Sequence, residues 1–331
     1  MEERNETVDM LRAVAALAVC FFHFTRFEHL EALSVLEPVW RYGALGVELF
    51  FVVSGFIVPY AMLRGGYTLR AWPTFMWKRL LRLEPPYLVS IALMLALDVA
   101  ATLVTGSREE PPQWTAPQVA SHVGYLTGVM GFAWLNPVYW TLAIELQFYF
   151  LCSVLVPVLI ALKWQLLRVA AVFALAALPL LVPAASELTL VPYLPIFALG
   201  LLTFLAVTGL IARALFWIAM ALLVALLVAT VPLPTAVAGI AAAITIVCVR
   251  LPHLGRIAWF ATLSYSLYLV HVPIGGRVMA LGARWPGILW LELALVVVAL
   301  ALSIGVAYAL YAAVERPSRL LAGRIRYAHS S

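Results

Sequence analysis

Two ionisable residues in one apolar run carry the strongest chemical signal in this chain. Asp9 to Thr25 reads as a membrane helix, with Arg12 at its start and His23 near its far end. Eleven residues at 100° each return to within about 20° of the starting direction, so the two side chains share a face. At 1.5 Å per residue they lie roughly 16 Å apart along the axis, about half of a ~30 Å hydrocarbon core. An ionisable group at membrane depth costs at least ~2.5–3.5 kcal/mol, so each should face a polar interior and have a partner. A cation at the edge and a titratable imidazole deeper in suit a site that grips an anion at one end and moves protons at the other.

Other polar groups at membrane depth lie mostly in the first half and the last two apolar runs. Glu48 opens the run Gly46-Val-Glu-Leu-Phe-Phe-Val-Val-Ser-Gly-Phe. With a short loop between the first two spans, Glu48 is placed to hydrogen-bond His23 and fix its tautomer; the alternative is an interfacial charge satisfied by water. Ser54-Gly55, further along, lets a helix or a ligand approach the backbone. Arg79 and Arg82 are three apart and share a face. With Arg12 they give three guanidinium forks, matched to phosphate oxygens. Glu145 is a carboxylate in an apolar span, with Trp140, Thr141, Gln147 and Tyr149 around it in sequence. Tyr268 and His271 share a face of a later span, and Glu315-Arg316 mark the exit of the last. His271 reads equally as a packing histidine or a ligand contact. Cys20, Cys152 and Cys248 sit in apolar runs and give neither a disulfide framework nor a metal spacing, so no metal is expected.

The elements that must position these groups are membrane helices. The chain is 65% hydrophobic and 11% charged, with a mean hydropathy of +1.01. A soluble domain averages about 45–50% apolar and ~25% charged, so the expected fold is an all-α polytopic membrane bundle. Ten spans are expected: 9–26, 43–63, 83–104, 138–162, 167–183, 190–208, 213–231, 234–250, 257–277 and 288–314. An even count puts both termini on one side. Sixteen of the 21 Lys and Arg residues then fall in segments on that side, which makes it cytoplasmic by the positive-inside rule. The net charge of +5 therefore reflects topology and anionic lipid rather than nucleic-acid binding. Glu2, Glu3, Glu6 and Asp9 before the first run argue against a cleaved signal peptide. The basic stretch 64–82 reads as an inner loop ending at a break or kink at Pro85-Pro86. The outer stretch 105–137 reads as polar and Pro-rich, with an apolar part, 119–135, that suits a re-entrant or interfacial segment. The spans from 167 to 250 carry no motif and read as scaffold. The whole chain, 1–331, reads as one membrane domain with no appended soluble domain.

Taken in order, Arg12-x10-His23, the run at Gly46–Phe56, Arg79-x-x-Arg82, Trp140-Thr-Leu-x-Ile-Glu145-x-Gln-Phe-Tyr149, Ser264-Tyr-x-x-Tyr268-Leu-x-His271-x-Pro and Glu315-x-Pro317 resemble the family-3 membrane acyltransferases. The resemblance spans essentially the whole chain. It implies a multi-pass protein of the inner (plasma) membrane that transfers an acyl group, usually acetyl, from cytoplasmic acyl-CoA to a hydroxyl. Acceptors in that family are mostly sugars of surface polysaccharides or small glycosylated molecules. The resemblance also implies His23 as the essential catalytic residue, and Arg12, Arg79 and Arg82 as donor-binding residues. No tightly bound cofactor is implied; acyl-CoA is a co-substrate. Glu48 is assigned beside His23 in catalysis. Ser54, Trp140, Glu145, Tyr149, Tyr268, His271 and Glu315 are assigned to supporting or acceptor positions. The chain departs from one common layout in lacking an SGNH-type C-terminal domain. The runner-up reading is a proton-coupled transporter or flippase with Glu48, Glu145 and His23 as relay groups. No inverted repeat supports it.

Overall fold

Apolar side chains throughout a segment leave the backbone no water to bond, so each run closes its hydrogen bonds internally as a helix. In the computed structural model, residues 6–26, 30–105, 114–183, 186–252, 255–284 and 287–327 are described, and among them there is no strand. The helices are α1 Glu6–Phe24, α2 Glu37–Trp40, α3 Gly46–Arg64, α4 Trp72–Thr105, α5 Ala116–His122, α6 Tyr139–Ala161, α7 Gln165–Leu181, α8 Leu194–Val207, α9 Arg213–Thr230, α10 Leu233–Cys248, α11 Gly255–Ala280, α12 Leu289–Leu310 and α13 Arg316–Arg324. Among the described residues, seven helical stretches are long and apolar enough to cross a membrane, those built on α1, α3, α4, α6, α9, α11 and α12. Three more, at α7, α8 and α10, are apolar but shorter. Seven of the ten expected runs thus hold helices of spanning length among the described residues.

Two boundaries differ from expectation. The basic stretch 64–82 is not mainly a loop, because α4 begins at Trp72 and carries Lys78, Arg79 and Arg82 on its first turns. Pro85 and Pro86 do not end the helix; α4 runs through both. Each removes one backbone donor, and neighbouring side chains offset such losses. The carbonyls so freed are those of Leu81 and Arg82; one residue on, the Tyr265 hydroxyl of α11 donates to the Leu83 carbonyl at 2.8 Å. The second difference is at the end of α12, where Tyr311–Glu315 form a π-helical turn. Pro317 clashes with a carbonyl four residues back, which widens the turn before it and rolls Glu315 inward to 2% exposure.

The bundle has two apolar cores. One centres on α3, α6, α8, α9 and α10, and the other on α1, α11, α12 and the first turns of α6. The far-end loops are pinned by polar groups. Buried Glu292 accepts the backbone N–H of Leu33 at 2.8 Å and of Gly287 at 3.1 Å. A Thr115/Gln118 capping box starts α5. Gln118 donates to the Ala133 carbonyl, and His122 Nε2 accepts the Leu135 N–H. Burial lowers the His122 pKa, which keeps the ring neutral and able to accept.

Small residues set a close crossing between α3 and α8. A Cβ on Gly55 would stand 2.5 Å from the Phe197 carbonyl oxygen, and one on Gly200 would collide with the Val52 carbonyl. The backbones of α3 and α8 therefore touch. Gly55 is the approach point expected from Ser54-Gly55, but its partner Gly200 lies in a span that reads as featureless. Gly200→Val should destabilise the protein by about 2 kcal/mol or more, read as a lower thermal midpoint in detergent. Gly305→Ala, where an added Cβ meets nothing within 4 Å, should leave the midpoint unchanged or slightly raised. Equal midpoints for Gly200→Val and wild type would remove the backbone crossing.

Candidate functional site

The basic residues meet at the end of the bundle where α1 begins and α13 lies. Glu145 on α6 is the organising carboxylate. Its Oε1 accepts from Ser54 Oγ at 2.9 Å and from the Tyr149 hydroxyl at 2.5 Å. The Tyr149 ring lies under the Arg79 guanidinium, 5.2 Å from carbon to centroid, and Phe75 lies 5.5 Å from the same group. These are cation–π contacts that hold Arg79 without neutralising it. Arg82 lies within electrostatic range of Arg79, Arg12 and Arg319. Arg12 in turn senses Arg319, Glu315, Asp9 and Glu145. Glu315 accepts from Ser266 Oγ at 2.6 Å and pairs with Arg319 at 3.7 Å. Four guanidiniums thus face Glu145, Glu315 and, at the rim, Asp9. The cluster keeps a cationic surplus.

The structure brings together Arg12, Ser54, Arg79, Arg82, Glu145, Tyr149 and Glu315, as residues of that end. Sequence reasoning missed Arg319 and Ser266. Arg319 had a signal, since it stands four residues after Glu315 on one helix. Ser266 had none beyond its place between Tyr265 and Leu267.

A second group forms at the opposite end of α1. The His23 ring lies 5.2 Å from that of His271, and Tyr268 lies 5.9 Å beyond His271. His271 is fully buried. Its Nδ1 faces the Leu267 carbonyl at 3.1 Å, so in the neutral ring Nδ1 carries the proton and Nε2 is left as a buried acceptor without a partner among the described residues. The Tyr268 hydroxyl shares a hydrogen bond with Thr141 at 2.8 Å. A cleft beside His23 is bounded by Phe24, Arg26, Pro137, Val272 and Gly276.

Glu48 is not part of either group. The expected Glu48–His23 hydrogen bond is absent among the described residues, and Glu48 Oε1 accepts from Thr235 on α10 at 3.2 Å. Register explains this. Gly46 packs on the Ala15 carbonyl and Gly43 on that of Ala18, so α3 begins level with the middle of α1. Eight residues separate Ala15 from His23, about 12 Å of rise. The segment before α3 is not a tight loop but a run of short helical turns, 33–45, which lowers Glu48 past the imidazole. Trp140 also stands apart, 5.4 Å from Tyr193 and 6.5 Å from Phe51.

A small pocket between α4 and α6 is lined by Arg79, Leu80, Leu83, Tyr125, Leu142, Leu146 and Tyr149. It shares no lining residue with the cleft at His23. The Thr141–Tyr268 hydroxyl pair lines neither; it ties α6 to α11 one turn before His271. Among the described residues no group of three His, Cys, Asp or Glu side chains could hold a metal ion.

Comparison with known proteins adds a family. A model described as an acyltransferase domain matches residues 5–312. Nodulation protein 10 of Rhizobium leguminosarum bv. viciae is 34% identical over 157 residues, covering 43% of this chain and 41% of that protein. Protein 2 in picA locus of Rhizobium radiobacter is 37% identical over 95 residues, covering 28% of this chain and 46% of that protein. The matched stretches thus span less than half of each relative. No solved structure matches.

The basic cluster makes a specific demand on Glu145. Glu145→Leu should cost about 2–3 kcal/mol, because Ser54 and Tyr149 lose their acceptor and the guanidiniums lose a counter-charge. Glu145→Gln, which keeps an acceptor, should cost less. Thermal unfolding in detergent orders the three proteins, and a leucine variant as stable as wild type would contradict the assignment.

Proposed function

The chain belongs to acyltransferase family 3, and from that premise we propose that it is an integral-membrane O-acyltransferase. In this reading it moves an acyl group, acetyl in the simplest case, from acyl-CoA to a hydroxyl of a sugar or other glycosylated acceptor. The observation that carries the reading is the polarity of α1. Its Arg12 end enters a cluster of four guanidiniums with a cationic surplus. Its His23 end meets a second imidazole beside a cleft. Phosphates of the donor headgroup suit the first, and proton transfer from an acceptor hydroxyl suits the second.

The orientation follows from the same reading: the basic end faces the cytoplasm, where acyl-CoA is found, and the protein resides in the plasma membrane. Arg12, Arg79, Arg82 and Arg319 hold the phosphates. Glu145, Ser54, Tyr149, Ser266 and Glu315 hold the guanidiniums in place. At the other end, neutral His23 takes the proton of the acceptor hydroxyl as its oxygen attacks the thioester carbonyl. The carbon–sulfur bond breaks, and the departing thiolate takes the proton from the imidazolium. His271, with Nδ1 committed to a backbone carbonyl, positions the His23 ring. Glu48, about two turns lower, takes no part in that proton transfer. Dry apolar walls favour the acceptor over water.

The test uses purified protein with labelled acetyl-CoA and a mixture of isolated surface glycans. His23→Ala should lower transfer by about 10²–10⁴-fold with unchanged CoA binding and thermal midpoint. Arg82→Gln should mainly raise the donor KM. Wild-type transfer by His23→Ala would end this reading of the imidazole.

A further inference from the structure

The cleft at His23 carries a charge that the proton transfer above does not use. Its lining is His23, Phe24, Arg26, Pro137, Val272 and Gly276, and Arg26 alone among them bears a fixed charge. The cleft offers about 170 Å³. That is slightly more than the ~150 Å³ cavity that takes a benzene ring, so one six-membered ring fits beside the imidazole.

The walls are firmly built. Phe24 is fully buried, and a Cβ on Gly275 would strike its ring, so α11 packs directly against it. Asn136 donates to the Leu269 carbonyl at 3.1 Å and ties the neighbouring Pro137 to the same helix. Phe24, Pro137, Val272 and Gly276 supply apolar surface, and His23 and Arg26 are the polar groups that orient a ligand on it.

Arg26 is held beside the base. The Thr25 N–H still bonds the Phe21 carbonyl at 3.2 Å, so the helical turn carries on past Phe24. Residues three apart on such a turn have Cβ atoms about 5–6 Å apart, which makes His23 and Arg26 neighbours. The Phe22 ring packs against both, 4.9 Å from the guanidinium carbon and 5.1 Å from the centre of the imidazole. This contact orients the guanidinium without neutralising it. Arg277, next to Gly276 in sequence, shows the contrary case: it is paired with Asp98 of α4 at 2.5 Å. Arg26 has no such carboxylate among the described residues, and its charge is open to a ligand.

An acceptor whose hydroxyl meets His23 therefore presents to Arg26 whatever group lies about one sugar ring away. A guanidinium matches a planar carboxylate with two parallel N–H bonds. One guanidinium also balances one negative charge, whereas the four at the other end suit a polyphosphate. Lipid phosphate at a membrane surface attracts an arginine too, but such an anchor needs no cleft that ends on a base.

We propose that the acceptor is an acidic sugar of the uronic-acid class. Arg26 selects it by pairing with its carboxylate, while His23 takes the proton of a hydroxyl on the same ring or the next. The inference deepens the acyltransferase reading and rests on it.

The experiment uses the full-length protein in detergent with labelled acetyl-CoA and isolated surface glycans, split by anion exchange into acidic and neutral fractions. Label should enter the acidic fraction. Methyl esterification of its carboxyls should raise the wild-type acceptor KM by about fivefold, the worth of one exposed guanidinium–carboxylate pair. Arg26→Gln should raise the KM for the untreated acidic fraction by a similar factor, keep kcat, and no longer respond to esterification. Arg26→Lys should recover part of the difference. The esterification arm needs no variant, so it carries the test should Arg26→Gln fail to fold. Label confined to the neutral fraction overturns the inference, as does a wild-type KM unchanged by esterification. An Arg26→Gln protein that loses only thermal stability or vesicle binding marks the residue as a lipid anchor and overturns it likewise. In all three cases the acyltransferase reading stands, because wild type transfers label. If wild type labels neither fraction, that reading fails, and the inference with it.

Discussion

Four guanidiniums crowded at one end of an apolar bundle repel one another. At an effective dielectric near 20, two like charges about 4–8 Å apart repel by about 2–4 kcal/mol. Nothing in a lipid-facing bundle tolerates that unless carboxylates are held in the middle of it. Glu145 and Glu315 are those carboxylates, and each is fixed from a different helix: Glu145 by Ser54 of α3 and Tyr149 of α6, Glu315 by Ser266 of α11 and Arg319 of α13. The network therefore ties α3, α6, α11 and α13 to the arginines of α1 and α4. It offsets most of the repulsion and leaves a surplus, which suits a site that must still attract an anion.

Much of this was legible before the structure, because an ionisable residue in a hydrocarbon-length run is rare and expensive. Arg12 and Glu145 stood out for that reason, Arg79 and Arg82 by their shared face on a basic stretch, and Glu315 by its place at the exit of the last span; the five are found together. Pairing was harder to read. Glu48 and His23 were placed as neighbours because a short link joins their helices. The link contains its own helical turns, 33–45, and these shift α3 by some two turns along α1. Sequence spacing fixes which face a residue occupies on its own helix but not the axial offset between two helices. The helical start of α4 was hidden for a related reason: a run rich in Arg and Lys lowers the local hydropathy, although the backbone is as regular there as in the apolar part.

The small residues show the opposite blind spot. Gly55 carried a signal because it follows Ser54 in a recognisable run. Gly200 lies within Phe-Ala-Leu-Gly-Leu-Leu, where nothing distinguishes a contact glycine from one facing lipid. Gly305, which meets nothing within 4 Å, looks no different. Only the crossing of two backbones separates them, and that is a property of the assembled bundle.

That crossing bears on the charged network. Ser54 can reach Glu145 only if α3 is held at one rotation about its axis, since a turn of 100° would aim the hydroxyl elsewhere. The neighbouring residue, Gly55, fixes the rotation by bringing its Cα face against Gly200, where no bulkier side fits. Steric contact on one side of the helix thus aims a hydrogen bond on the other. The scaffold spans, which carry no polar motif of their own, set the geometry of the arginine cluster through α3. The chemistry concentrated in α1, α4, α6 and α11 rests on the plain apolar helix α8.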